Sequence, residues 1–204
     1  GRIVTFGIKK NADFRAEEIV YGEKGMHFTL VRGRRRHEVY VPDLGEHNVY
    51  NALAALAAIA VLKLDLEEAI GYLALYKPLR SHVEAKPGIK GSLILDDTWS
   101  SNPTSVEAAL KVLREVGRGK KKVAALGQIS YLGKHAEKYY ERIARMLIRH
   151  RTDYLITKDR PSSSIANYAL KHGMPPERVF KAKDDRDFRE KLVALLDEKT
   201  VCLF

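Results

Sequence analysis

The sequence predicts an α/β chain in two parts, with a mostly parallel sheet in the second. Three observations carry this. From about Leu79 onward, short apolar runs and amphipathic stretches alternate to the end of the chain. Such alternation argues for a parallel sheet with helices on both faces. Before that, up to about residue 45, the pattern is strand-like, with glycine-bearing turns between runs. Between the two lie helical segments that stop at Lys77-Pro78, because the residue ahead of a proline is driven out of the helical region.

In order, Ile3 to Phe6 is a short apolar strand ended by Gly7. Strands Ala16 to Tyr21, Met26 to Arg32 and Arg36 to Val41 follow. The period then changes. Val49 to Leu62 is apolar on nearly every face, which predicts a buried helix. Leu66 to Tyr76 is a second helix, with Asp65 placed to cap it and Glu67 and Glu68 in its first turn. A boundary falls near residues 78 to 82, giving domains 1–79 and 80–204. In the second, strands are expected at Leu93–Leu95, Val123–Leu126, Tyr154–Ile156, Val179–Phe180 and Val201–Phe204. Helices are expected at Pro103–Val116, His135–His150, Ser162–His172 and Asp185–Leu196, the first opened by a proline at an allowed position. An apolar terminal strand with no polar cap predicts that the chain is a piece of something longer.

The 204 residues are 45% hydrophobic and 30% charged, which allows a packed core and a solvated surface. No apolar run reaches the roughly 20 residues needed to span a bilayer, and no secretory signal opens the chain. A single cysteine, Cys202, has no intramolecular partner, which favours a reducing, cytoplasmic setting. The net charge is +10, spread along the chain with one knot at Arg32-Gly33-Arg34-Arg35-Arg36. That knot lies between two alternating runs and reads as a solvated hairpin turn. Without interleaved aromatics it offers no stacking platform, so nucleic acid is not an expected partner.

The stretch with most chemical content is Leu93-Ile94-Leu95-Asp96-Asp97. A buried strand that delivers adjacent carboxylates just before a helix matches the place where open α/β sheets bind ligands. The competing reading is capping within the turn. His47, Asn48 and Asn51 cluster at the amino end of the first helix. Amides offer both donor and acceptor and suit a purine edge, or they cap the helix. Arg80, at the junction, suits phosphate or is a surface residue of a linker. Gly127 to Lys134 is a glycine-bearing strand–helix loop, which can receive an anion, but it is not a phosphate-binding P-loop, since His135 stands where Ser or Thr is required. Thr157-Lys158-Asp159-Arg160 reads as a loop that caps a helix. No His/Cys cluster has zinc spacing, and no nucleophile elbow or Ser-His-Asp arrangement is legible.

Together these motifs resemble the Mur ligase family, ATP-dependent amide-forming enzymes of peptidoglycan precursor synthesis. Gly45-Glu46-His47-Asn48-Val49-Tyr50-Asn51-Ala52-Leu53-Ala54-Ala55 is similar to the family's central-domain signature, and Arg80 falls on its junction arginine. Asp96-Asp97-Thr98-Trp99-Ser100-Ser101-Asn102-Pro103 resembles the Asp-Asp-Thr-Tyr-Asn-Ala-Asn-Pro segment of the D-alanyl-D-alanine-adding branch. Leu126-Gly127-Gln128 through Tyr131-Leu132-Gly133 resembles that branch's Leu-Gly-x-Met-x-Glu-Leu-Gly loop. The resemblance implies that residues 1–79 are the later part of the central ATPase domain and 80–204 a Rossmann-like ligase domain.

By the same resemblance, His47, Asn48, Asn51, Arg80 and Asp97 would contact ATP, with Asp97 on the ribose. Asn102, Gly127, Gln128 and Lys134 would face the acceptor. UDP-MurNAc-tripeptide and D-alanyl-D-alanine are the implied substrates, and a monomer the implied state. ATP with Mg2+ is the implied cofactor pair, its metal ligands and Gly-Lys-Thr loop lying upstream. No residue of this chain is expected to be catalytic by itself. Trp99-Ser100-Ser101, Tyr131 and Tyr139-Tyr140 depart from the branch pattern. A Mur-like ligase with another acceptor, or a non-catalytic nucleotide-binding module, therefore stays open.

Overall fold

The computed structural model describes residues 3–8, 11–99, 101–130 and 132–204. The chain divides into two compact units, Gly1–Leu79 and Arg80–Phe204.

In the first unit, β1 (Phe6–Gly7) pairs in parallel with β2 (Phe14–Tyr21). β3 (Met26–Arg32) and β4 (Arg35–Val41) extend the sheet antiparallel, in the order β1-β2-β3-β4. Alternation places Phe14, Ala16, Met26, Phe28, Leu30, Val39 and Val41 in the core. The arginine knot is the β3–β4 hairpin turn. Gly33 takes φ 59° there, a left-handed conformation that suits glycine. Arg36 pairs with Glu17 and Glu18 on β2, at 2.8 and 3.2 Å, so this cation is held on the sheet surface.

α1 (Glu46–Val61) buries Val49, Ala52, Leu53, Leu56 and Ala57. The expectation of burial on nearly every face does not hold. Val61 and Leu62 are exposed, because the β1–β4 sheet and α2 cover one stripe of the helix among the described residues. α2 (Leu66–Leu73) is capped as expected: the Asp65 carboxylate accepts from the Glu67 and Glu68 amides. It ends before Tyr76 because Leu75 and Tyr76 turn back with tighter bonds to Tyr72 and Leu73.

In the second unit the strand order is β5-β6-β10-β7-β8-β9, formed by β5 (Glu84–Pro87), β6 (Leu93–Asp96), β7 (Lys121–Leu126), β8 (Tyr154–Thr157), β9 (Val179–Lys181) and β10 (Thr200–Leu203). All pairs are parallel except β5–β6 at the edge. The last strand thus enters between the first two parallel ones.

The helices are α3 (Pro103–Val116), α4 (Ala136–Arg149), α5 (Arg160–Lys171) and α6 (Asp185–Leu195). Capping decides their starts. The Asn102 side chain accepts from Thr104 and Ser105 while Ser105 answers the Asn102 amide, and Asp159 forms the same reciprocal box with Ser162. α5 therefore opens at Arg160 rather than at Ser162.

Register fixes which residues share a face. Val123, Ala125, Ile156 and Cys202 pack with Leu192 and Leu196 at the α6 side. Leu95, Ala124, Leu126, Leu155 and Val201 alternate with them, are buried, and turn to the side of α3, α4 and α5. Burial on both faces is what a parallel sheet requires.

Candidate functional site

Each unit presents one candidate surface. In the first, Gly45 opens α1 at φ 109°, and a Cβ there would lie 2.5 Å from the His47 ring. Only glycine fits, since both the conformation and the ring exclude a side chain. His47 folds back on this glycine. Lost hydration on that side lowers its pKa, with the nearby Asp43 charge opposing, so the imidazole is neutral at pH 7 although the residue is exposed overall.

From there a relay of amides runs outward. Asn48 Nδ2 donates to the Leu44 carbonyl at 3.1 Å, and Asn51 Nδ2 donates to Asn48 Oδ1 at 3.2 Å. The second bond orients the exposed Asn51 amide. Its oxygen and remaining N–H have no protein partner among the described residues, the donor–acceptor pair a base edge would need.

In the second unit, the carboxyl ends of β6, β10, β7 and β8 surround a cavity of about 270 Å³. Its polar rim is Asp97, Thr98, Ser101, Gln128, Lys158 and Asp159. Its floor is apolar, with Leu126, Phe188, Leu203 and Phe204 among the residues there. A bond of 2.9 Å from the Ser130 amide to the Ser101 carbonyl ties the loop after β6 to the loop after β7.

The two adjacent carboxylates have opposite environments. Burial pushes Asp96 up, but hydrogen bonds from Lys86, Thr98 and Ser81 outweigh it and hold the carboxyl at about 2. Burial also pushes Asp97 up, to about 6; the Val83 amide and His82 draw it down, and the Asp96 charge adds to the rise. Asp96 is spent within the fold. Asp97 is the carboxylate at the cavity whose charge is under-compensated, and such a group is a functional candidate.

Of the second-unit residues singled out in the sequence, Asp97, Gly127 and Gln128 come together on the cavity. Asn102 is the cap of α3, its Oδ1 taken by the Thr104 and Ser105 amides. Lys134 sits in a turn of 3-10 helix ahead of α4, off the cavity lining. Arg80 is exposed, and its carbonyl accepts from or faces His82 Nδ1 at 2.9 Å. Ser100 and Tyr131 lie outside the described residues.

The sequence reading missed Phe188 and Phe204, whose place on the cavity depends on distant strand order. It read Lys158 and Asp159 as a capping loop. Asp159 does cap α5, yet both also line the cavity, and Lys158 Nζ lies 2.7 Å from Asp185 Oδ1. Their position directly after a parallel strand, on the carboxyl side of the sheet, is the signal the sequence carried for a site role beside the capping one. Among the described residues, no three His, Cys, Asp or Glu side chains converge as a metal-binding group, and no helix is long and apolar enough to cross a membrane.

Residues 1–59 match the family model for the Mur ligase middle domain, and residues 81–204 match that for the Mur ligase glutamate ligase domain. The chain is 28% identical over 200 residues to the UDP-N-acetylmuramoyl-tripeptide–D-alanyl-D-alanine ligase of Bacillus subtilis, which spans 98% of this chain and 43% of that protein. It is 38% identical over 116 residues to the UDP-N-acetylmuramate–L-alanine ligase of Chlorobaculum tepidum, covering 56% of this chain and 24% of that protein. Among solved structures, MurF from Acinetobacter baumannii superposes with a TM-score of 0.80 at 25% identity, over 99% of this chain and 43% of that one. The MurF ligase from Thermotoga maritima in complex with ADP shares the fold with a TM-score of 0.77 at 19% identity, over 98% of this chain and 44% of that one. The chain thus spans less than half the length of these proteins.

Proposed function

Because this chain belongs to the Mur ligase family, we propose that it forms part of the nucleotide cleft and the acceptor side of an ATP-dependent amide ligase. The reaction we assign to the whole protein joins D-alanyl-D-alanine to UDP-MurNAc-tripeptide in the cytoplasm. A carboxylate oxygen of the tripeptide attacks the γ-phosphorus of ATP and ADP leaves. The amine of the dipeptide then attacks the carbonyl carbon of the acyl phosphate, loses a proton, and phosphate departs.

The residues of this chain bind and orient rather than bond to the substrates. Asn51, steadied by Asn48, reads the adenine edge, and the neutral His47 lies beside it. Asp97 accepts from the ribose hydroxyls. Arg80 meets the ribose or phosphates, where a planar guanidinium fork suits an oxyanion. Gly127 and Gln128 face the dipeptide. Asn102, with its oxygen committed to the cap, has only its amide N–H groups to offer, and Lys134 would reach the acceptor from its turn. Holding reactants in register is the main catalytic contribution of such groups. A magnesium ion accompanying ATP is not assigned to residues of this chain, since the resemblance places its ligands upstream.

The observation that carries the reading is Asp97 itself. A partly buried carboxylate whose pKa burial raises, with a cavity in front of it, is completed by two hydroxyl donors. The test is a product assay on the whole protein with ATP, UDP-MurNAc-tripeptide and D-alanyl-D-alanine, in the native form and as Asp97→Ala. Ligation with a sharply raised KM for ATP in the variant is expected. An unchanged KM would remove the ribose role.

A second reading rests on one observation: over a little more than half of the chain, identity to an L-alanine-adding relative is 38%, against 28% over nearly the whole chain to a dipeptide-adding one. Free L-alanine, with UDP-N-acetylmuramate as donor, is therefore the competing substrate to include in the same assay.

A further inference from the structure

The segment just after Leu79 is folded in an uncommon way. Ser81 and Val83 both take left-handed backbone conformations, at φ 58° and 54°. For a β-branched valine this is a true outlier and must be held in place by its surroundings.

Side chains and amides of β5, β6 and the loop after it hold it. Lys86 Nζ, from β5, lies 2.6 Å from Asp96 Oδ2 and 2.9 Å from Glu84 Oε2. Ser81 Oγ donates to the same Asp96 Oδ2 at 3.1 Å, and the Ser81 amide donates to Glu84 Oε2 at 3.0 Å. The other Asp96 oxygen accepts from the Thr98 hydroxyl and amide at 2.6 and 3.1 Å. The Trp99 amide returns to the Ser81 carbonyl at 3.2 Å. Val83, pinned between these bonds, is buried beside Asp97, and its amide draws that carboxyl down. Asp96 therefore touches both the end of β6 and the strained segment, while its neighbour Asp97 faces the cavity.

We propose that the Lys86–Asp96 ion pair is a positioning device, clamping the Arg80–Val83 segment onto the end of β6 and so fixing Arg80 and Asp97 relative to each other. The proposal rests on the nucleotide reading of those two residues. Its structural half is independent of that reading. Asp96 and Lys86 are positioning residues, since neither lines the cavity. Without Asp96, nothing else among the described residues bonds to the Ser81 hydroxyl, and the left-handed turn relaxes; without Lys86, the Ser81–Asp96 bond stays but loses the cation that orients its acceptor. Asp97 then loses its fixed place against that turn, with His82 beside it and Lys158 and Asp159 on the same cavity.

Amide hydrogen exchange on the 204-residue chain tests this. In Asp96→Ala the Thr98 amide loses its acceptor directly. The informative amides are Val83, buried within the turn, and Trp99, which bonds to the Ser81 carbonyl. Their protection is expected to fall about tenfold, while Leu155, deep in β8, keeps its own. Lys86→Met should act in the same direction and Lys86→Arg should restore protection, which keeps the test usable where Asp96→Ala does not fold. Unchanged protection at Val83 and Trp99 overturns the proposal. An equal fall at Leu155 overturns it too, since the pair would then be a general prop.

In the whole protein, the KM for ATP of Asp96→Ala is expected to rise about tenfold with kcat changed less than about twofold. Loosened Val83 and Trp99 amides with an unchanged KM would leave the clamp standing and refute the nucleotide role of Arg80 and Asp97 instead.

Discussion

Replacing Asp97 by asparagine is expected to make the protein more stable and worse at its task. The shape is kept. What goes is a charge the fold accommodates badly. The Asp97 carboxyl is raised from 3.8 to about 6, a shift of roughly two units and so about 3 kcal/mol at most. The side chain is only partly buried, and screening by the solvent that reaches it reduces this to about 1–2 kcal/mol. The sign sets the pH dependence. A carboxyl raised in the folded state is neutral in both states below pH 3.8, so no penalty exists there. The penalty grows as pH rises through about 6 and is complete above it. Urea unfolding followed by circular dichroism should therefore show Asp97→Asn more stable than the parent at pH 8, with the difference vanishing near pH 4. Equal stability at pH 8, or a gain of the same size at both pH values, would refute the assignment of Asp97 as a carboxylate kept for a ligand at a cost to the fold.

Three further outcomes follow from the same geometry. Asn102→Ala removes both bonds that start α3 and should cost about 1 kcal/mol in urea titration; a loss under about 0.3 kcal/mol would mean that Pro103 alone sets the helix start. Asn51→Ala, on an exposed face, should leave stability within about 0.5 kcal/mol yet weaken ATP binding to the whole protein about tenfold, a hydrogen-bonded pair's worth. Cys202, fully buried with its thiol pushed up to about 12, should resist a thiol reagent in the native chain at pH 8 and react once urea unfolds it; native labelling would place it wrongly.

The alternation of strands and helices was legible because each parallel strand is a local apolar run. β6, β7 and β8 and the helices after them therefore stand within a few residues of where the pattern puts them. β5 was not legible. Glu84-Ala85-Lys86-Pro87 has no apolar run, and it joins the sheet by backbone bonds at an edge, where even Pro87 is tolerated. The exposed flank of α1 also departs from the pattern, since all-round apolarity says nothing about how much of a helix its neighbours cover.

In the candidate site, Asp97, Gly127 and Gln128 were readable because each directly follows a strand. The strand order β6-β10-β7 was not readable, and it is what brings Phe204 between them. Nor could spacing separate Asp96 from Asp97. Their roles diverge through Lys86, which lies on a strand the pattern did not reveal.

The central claim is that Asn51 of the first unit and Asp97 of the second each contribute to ATP binding by the whole protein. Equilibrium binding of ATP to the whole protein, compared for the parent, Asn51→Ala, Asp97→Ala and the double variant, tests it most directly. The account predicts about a tenfold loss from each single change and a larger one from the pair. Parent-like affinity in either single variant would contradict it.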